Sequence, residues 1–345
     1  MKIAIIVGAR PQFIKLAPLY KRFINQGIQP TIIHSGQHYE AGLDQMLFEE
    51  LALPVPHYRL TSAPSPSHIF IKEALKAAKT ILQKINPHCC IVFGDTNTTL
   101  AGAQAAQAIR CPLAHVEAGM RSGNFEMPEE HIRIFTDQIG DFLFVPSEKE
   151  QKTLRREHVE GQVIVSGDIM LDTFNLYLKK ARPPAFPIPN QFIVATIHRN
   201  FNTDQPKRLW AIIHQLHKIH DQLLPVILPA HPRLRNALFE FDLPVKDLIS
   251  PPVSYLEMLY LLNNCQAVIT DSGGLQKEAY YAQKLSLVPR DETEWTALVD
   301  HGYCSLSPPD KLLKTMEAML GHSPSNWQAL YGDGDASKII VESLI

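Results

Sequence analysis

Gln266-Ala267-Val268-Ile269-Thr270-Asp271-Ser272-Gly273-Gly274-Leu275-Gln276-Lys277-Glu278 is the stretch on which the reading of this chain turns. Its apolar start reads as a short buried strand. Two glycines beside a hydroxyl follow, and then a helix-forming run, so the residues spell strand, tight turn and helix start. Such a start points unpaired backbone N–H groups and the positive end of the helix dipole outward. Phosphate is the natural occupant. The plainer alternative is a capped helix with Ser272 as its N-cap.

The same grammar recurs along the chain. Ile3 to Val7 leads into Gly8-Ala9-Arg10-Pro11-Gln12, and Thr31-Ile32-Ile33-His34 into Ser35-Gly36-Gln37-His38. Cys90 to Phe93 gives Gly94-Asp95-Thr96, Leu113 to Val116 gives Glu117-Ala118-Gly119, and Asp141 to Val145 gives Pro146-Ser147-Glu148. In the second half, Phe192 to Thr196 precedes His198-Arg199, and Pro225 to Leu228 precedes Pro229-Ala230-His231. Leu285 to Val288 precedes Arg290-Asp291-Glu292. Continuous apolar strands alternating with helices indicate parallel, doubly wound α/β sheets, whose ligands lie beyond the carboxyl ends of the strands.

With 345 residues the chain exceeds one core, so two Rossmann-like domains facing a cleft are expected. The proline-rich Arg182 to Pro189 reads as a stiff linker. The helix before it, Ile169 to Lys180, is assigned to the second domain or the hinge. The domains are expected at 1–168 and 169–335, with a last helix from about 336 to 345. Ala63 to Ser67 reads as a loop.

A formal charge of −2 and the lack of a basic block argue against a nucleic-acid surface. Five cysteines without paired spacing fit neither a disulfide framework nor a metal site. The chain begins on a strand, and no apolar run reaches membrane-spanning length, so a cytoplasmic protein without membrane contact is expected. Arg10 stands where a dinucleotide fingerprint needs glycine, so no nicotinamide cofactor is expected, and none of another kind.

Asp95, Glu117 and Glu129 fall at or just beyond strand ends. Crowded carboxylates shift one another's proton affinity, and such groups move protons. His115 would converge on the same edge. Pro128 suits a first helical turn, placing Glu129 and Arg133 on one face at i, i+4, where they could simply pair. Arg10 and His198 would meet an anion, and Glu278 could accept hydrogen bonds from ribose hydroxyls.

Gly8-Ala9-Arg10-Pro11-Gln12-Phe13-Ile14-Lys15, Gly94 to Leu100, His115-Val116-Glu117-Ala118-Gly119, Pro128-Glu129-Glu130, Thr270 to Ala279 and Arg290 to Trp295 resemble, in order, motifs of the non-hydrolysing UDP-N-acetylglucosamine 2-epimerases. Tyr331 to Ser337 is similar to that family's closing motif. The resemblance implies a glycosyltransferase B-type fold, a UDP-sugar substrate, a last helix that crosses back to the first domain, and a homodimer. It further implies that the C2 proton leaves together with UDP, giving 2-acetamidoglucal, and that UDP and proton then return on the opposite face. Asp95, Glu117, Glu129 and His198 would form the catalytic set, with His198 also a phosphate partner. Arg10, Lys15, Arg133, His231, Met258, Ser272, Gly273, Gly274 and Glu278 would bind substrate, the diphosphate falling to Ser272 to Gly274 and the uracil to Pro251 to Met258.

Gln12 stands where many members carry glutamate, in a version also found in a branch that includes epimerases of UDP-2,3-diacetamido uronic acids. Asn200-Phe201 replaces the usual pair ending in glutamate after His198-Arg199. Gln37-His38 resembles part of an allosteric sugar-nucleotide site, although Tyr39-Glu40 differs from the usual partners. The expectation is therefore an isomerase making UDP-N-acetylmannosamine for surface polysaccharide. A diacetamido-uronate epimerase, a glycosyltransferase of the same fold and an inactive sugar-nucleotide sensor are the alternatives.

Overall fold

A computed structural model describes residues 1–37, 41–60, 66–245, 248–321 and 326–345. His38 to Glu40 and most of the loop expected from Ala63 to Ser67 lie outside the described residues. Two compact units emerge, residues 1–176 with 329–345 and residues 177–328.

The first unit alternates strand and helix as the sequence pattern requires. In order come β1 (Ile3–Val7), α1 (Arg10–Asn25), β2 (Thr31–His34), α2 (Ala41–Glu50), β3 (Tyr58–Arg59), α3 (Ser67–Ile85) and β4 (Cys89–Phe93). They are followed by α4 (Asn97–Ala108), β5 (Leu113–Val116), α5 (Pro128–Ile139), β6 (Phe142–Val145), α6 (Glu148–Arg156), β7 (Gln162–Val165) and α7 (Ile169–Leu178). The seven strands form one parallel sheet in the order β3-β2-β1-β4-β5-β6-β7. Every residue of β1, β4 and β5 is buried, which explains the unbroken apolar character of β1 and β4, while β5 carries one buried polar residue, His115.

The second unit repeats the scheme with β8 (Ile193–Thr196), α8 (Asn200–Thr203), α9 (Pro206–Gln222), β9 (Val226–Pro229), α10 (Pro232–Glu240), β10 (Ile249–Ser250) and α11 (Tyr255–Asn264). Then come β11 (Ala267–Thr270), α12 (Gly273–Tyr281), β12 (Leu285–Val288), α13 (Thr296–Asp300), β13 (Cys304–Leu306) and α14 (Leu312–Leu320). Its parallel sheet runs β10-β9-β8-β11-β12-β13.

The order of strands reverses between β1 and β4 in one sheet and between β8 and β11 in the other. These are the topological switch points, where neighbouring loops diverge and leave room for a ligand. Arg10 and Asp95 follow β1 and β4; His198 and Ser272 follow β8 and β11.

The last helix, α15 (Ala336–Leu344), packs on α1 within the first unit. Asp172 accepts the Ala336 and Ser337 N–H groups at 3.1 and 2.8 Å, and the Thr173 hydroxyl donates to the Ile14 carbonyl at 2.9 Å. These bonds hold most of α7 in the first unit, so the units part after Leu176 rather than at the expected Asp168. All five cysteines are buried and free, and burial pushes the Cys265 thiol up to about 12.

Candidate active site

Gln12 organises the first switch point. It is buried within the first turn of α1, and its Oε1 accepts the Gly8 and Ala9 N–H groups at 2.8 and 3.2 Å. Its amide nitrogen faces the Phe93 carbonyl at 2.9 Å and the Thr96 and Thr99 hydroxyls at 3.0 and 3.1 Å. Gln12 therefore clips the end of β1 to the end of β4. Arg10, at the first position of α1, is exposed and has no ion pair among the described residues.

Lys15, one helical turn further on, is buried and ion-paired with Glu117. Glu117 holds φ of +70°, in the left-handed region that residues with a Cβ seldom adopt. Beside it Gly94 has φ of +60°, and a Cβ there would lie 3.3 Å from Glu117 Oε2 and 3.5 Å from Lys15 Nζ. The conformation calls for glycine, and a Cβ would press on Glu117 Oε2.

Arg133 reaches from α5 to Asp95 and, at 3.2 Å, to Glu130. Glu130 also accepts the Ser122 N–H and hydroxyl, both at 2.9 Å, and the Gly123 N–H at 3.0 Å, so it folds the preceding loop. Burial alone would raise the Glu130 carboxyl; these donors and Arg133 outweigh it and hold it below the usual carboxylate range. The i, i+4 pairing open to Glu129 and Arg133 does not form. Glu129 is half-buried and has no hydrogen bond or ion pair among the described residues.

His115 departs from expectation. Its neighbours on β5 lie in the sheet interior, and its ring is fully buried, bonded to Asp137 and to the Gly94 carbonyl rather than opening onto the carboxylates.

The second switch point is built around Asp271, a residue without an assigned role in the sequence reading. It is fully buried and accepts the His198 N–H at 3.0 Å, the Arg199 N–H at 3.0 Å and the Asn202 side-chain amide at 3.0 Å. Its carboxylate also lies 3.2 Å from His198 Nδ1. A carboxylate on Nδ1 fixes the ring and presents Nε2. The signal was available: Asp271 is the acid directly between a buried strand and the glycine turn.

Ser272 caps α12, accepting the Leu275 N–H at 3.4 Å. Gly273 and Gly274 open the helix, with Glu278 buried further along it. A Cβ on Gly273 would fall 2.3 Å from Glu294 Oε1, so any larger residue here would displace Glu294 from its pair with Arg290 at 3.3 Å. His231 caps α10 through the Arg233 N–H, and its ring centroid lies 5.8 Å from that of His198. Met258 lies on α11 and packs, partly buried, against the cluster of Phe192, Val194, Leu261 and Leu262. Phe201, standing where a carboxylate is usual, lies under the guanidinium groups of Arg208 and Arg290 at 5.8 and 5.6 Å. Gln37 accepts the Thr98 N–H and hydroxyl at 2.9 and 2.8 Å, so its amide caps α4.

Two parallel-sheet domains, one with carboxylate–cation pairs and one with a glycine-opened helix at its switch point, define a Rossmann-like sugar-nucleotide protein of the glycosyltransferase B class. Residues 23–345 match the family profile described as UDP-N-acetylglucosamine 2-epimerase. The chain is 40% identical, over its whole length and 99% of the relative, to a UDP-2,3-diacetamido-2,3-dideoxy-D-glucuronate 2-epimerase of Pseudomonas aeruginosa. It is 36% identical, again over its whole length and 99% of the relative, to the UDP-N-acetylglucosamine 2-epimerase of Methanocaldococcus jannaschii. A crystal structure of a Methanocaldococcus jannaschii UDP-GlcNAc 2-epimerase in complex with UDP-GlcNAc and UDP superimposes with a TM-score of 0.91 at 35% identity, covering 100% of this chain and 99% of that one. The chain belongs to the UDP-N-acetylglucosamine 2-epimerase family and is an isomerase.

Among the described residues no cluster of His, Cys, Asp and Glu has the form of a metal site, and no helix is long and apolar enough to cross a membrane.

Proposed function

We propose that this chain interconverts UDP-N-acetylglucosamine and UDP-N-acetylmannosamine. The observation that carries the reading is the division among three carboxylates. Asp95 and Glu117 are each held against a cation, while Glu129, one turn from Arg133 on α5, is left unpaired. The first two are engaged by cations, and the unpaired carboxylate is the one free to exchange a proton with a substrate. The C2 proton of an N-acetylhexosamine is too weakly acidic to remove alone. Its loss is coupled to breaking the C1–O bond: the C–H electron pair forms the C1=C2 double bond of 2-acetamidoglucal as UDP departs. UDP then adds back to C1, and C2 takes a proton on the opposite face.

In this reading the second unit holds the leaving group. The start of α12 supplies N–H groups to the diphosphate, His198 adds a donor, and Glu278 takes the ribose. Arg10 meets phosphate charge; Met258 and His231 line the nucleotide side. The chemistry needs no cofactor. We assign the enzyme to the cytoplasm and to the supply of surface-polysaccharide precursors, as its sugar-nucleotide substrate suggests, and to a homodimer on the family resemblance alone.

Incubation with UDP-N-acetylglucosamine in D₂O should place deuterium at C2 of substrate and product, read by NMR. Failure to exchange with any UDP-N-acetylhexosamine would overturn the assignment. The 40% identical Pseudomonas aeruginosa relative supports a second reading, the same chemistry on a UDP-2,3-diacetamido uronic acid. Parallel incubation with that sugar decides between them.

A further inference from the structure

Three residues in the turns that carry Asp95 and Glu117 have positive φ: Gly94 at +60°, Glu117 at +70° and Gly119 at +77°. Glutamate rarely rests there, so surrounding structure must hold it in place. The holding groups lie beneath the turns. His115 Nε2 is 2.8 Å from the Gly94 carbonyl, and Nδ1 is 2.6 Å from Asp137 Oδ1. The other Asp137 oxygen accepts the Gly119 N–H at 3.1 Å and lies 2.8 Å from the Arg121 guanidinium. Arg121 in turn donates to Glu157 at 2.9 and 2.6 Å and to the Met120 carbonyl at 2.7 Å. Both His115 and Asp137 are fully buried. Sealed from solvent and bonded to the backbone and to Arg121, they hold the turns rather than meet a substrate, so neither is a catalytic residue.

The donor inventory fixes the protons. A carbonyl can only accept, so Nε2 carries a hydrogen toward Gly94. The Asp137 carboxylate already accepts an N–H and a guanidinium, so the contact at Nδ1 needs a hydrogen between the two atoms rather than two facing lone pairs.

We propose that His115 and Asp137 form a buried positioning pair that fixes the Asp95 and Glu117 turns, one through the Gly94 carbonyl and the other through the Gly119 N–H, with one proton held between Nδ1 and Oδ1. The inference rests on the reading that Asp95 and Glu117 belong, with Glu129, to the catalytic set. It adds the reason why two carboxylates from different strands keep one spacing: a single rigid ring and a single carboxyl set both turns.

Asparagine at 137 is the informative change. Its oxygen keeps Gly119 and Arg121, while its amide donates to a bare Nδ1, so the turns stay pinned although the charge is gone. Alanine removes the pin. With full-length protein, Asp137→Ala should lower kcat about a hundredfold while KM stays within about threefold, since misplacing reacting groups costs turnover rather than binding. Asp137→Asn should recover most of that loss. Nitrogen-15 NMR of the wild type should show a hydrogen on both ring nitrogens of His115, and on Nε2 alone in Asp137→Asn. Undiminished kcat in Asp137→Ala would overturn the proposal. So would an Asp137→Asn protein that is folded yet as slow as the alanine variant, or a wild-type spectrum with a bare Nδ1. If the alanine variant does not fold, the asparagine variant and the spectrum still decide. Asp95→Asn and Glu117→Gln serve as the separate control: wild-type turnover in both would sink the site reading itself, independently of the His115 spectrum.

Discussion

Gln12→Glu should destabilise this protein, and do so in a pH-dependent way. The side chain has two halves. Its oxygen accepts the Gly8 and Ala9 N–H groups, and a carboxylate would keep those bonds, strengthened by about 0.5–1 kcal/mol at a helix start. The nitrogen half reverses. It donates to the Phe93 carbonyl at 2.9 Å, where a carboxylate oxygen would meet another acceptor. The Thr96 and Thr99 hydroxyls could turn to donate, but Thr99 already donates to Phe93 at 2.6 Å. One buried amide–carbonyl bond is lost and one acceptor is set against another, at a cost of about 1–3 kcal/mol. Placing a charge at a site only 1% exposed adds to this, so the net loss near pH 7 should be about 2–3 kcal/mol. A protonated carboxyl can donate to Phe93 as the amide does. The folded-state pKa of the introduced carboxyl is thus raised: the penalty is absent below about pH 4, grows as pH rises by up to ~1.4 kcal/mol per unit, and levels off above the folded pKa. Urea unfolding of variant and wild type from pH 4 to pH 8, followed by far-ultraviolet dichroism, measures the gap. A variant as stable as wild type at pH 7, or a gap that does not change with pH, would refute the clip and reopen a chemical role for residue 12.

Arg133→Lys keeps the charge but loses the fork that spans Asp95 and Glu130, so kcat should fall about tenfold to a hundredfold in the NMR epimerisation assay. Asp271→Ala leaves the His198 and Arg199 N–H groups and the Asn202 amide without their acceptor, and should cost about 3–5 kcal/mol of stability by urea titration, with weakened UDP binding by calorimetry. Glu130, whose folded-state pKa is lowered, stabilises the protein above the unfolded carboxylate pKa and loses that contribution as pH falls through its folded value. The unfolding difference between wild type and Glu130→Gln should accordingly be full at about pH 6 and shrink below about pH 4. A difference that persists undiminished into acid would show that Glu130 does not work as a charged acceptor.

The strand ends were legible in the sequence because burial on both faces leaves a continuous apolar run, and the first polar residue after it marks the edge. That is how Arg10, Asp95, His198 and Ser272 were found, and the sheet order places each beside a switch point. The direction of a side chain was not legible. His115 and Glu117 are two residues apart, one within β5 and one just past its end, and nothing in the residue types says that one ring is sealed inside. The partner of Arg133 was equally hidden: helix periodicity offers Glu129, whereas the fold brings Asp95 from the turn after β4. Glycine was read for its freedom alone at Gly273, yet a side chain twenty-one positions on, Glu294, occupies the space a Cβ would need. Contacts between residues distant in sequence decide such matters, and a local pattern does not contain them.

Charge accounting bears on which sugar this family member takes. Lys15 and Arg133 are already matched by Glu117 and Asp95, so they have little attraction left for a substrate anion. Arg10 and Arg199 differ: each follows a switch-point strand, and neither has an ion pair among the described residues. A departing diphosphate develops negative charge that must be met by unmatched donors, and on the proposed reading Arg199 and the start of α12 are those of the second unit. A uronic acid would bring a further carboxylate that needs its own cation, because burying an unmatched charge costs several kcal/mol. In the first unit Lys15 and Arg133 are paired and Glu129 is not, and an unpaired carboxylate repels another. On the proposed reading that pattern of charge in the first unit suits a neutral N-acetylhexosamine, even though the uronate epimerase from Pseudomonas aeruginosa is 40% identical to this chain.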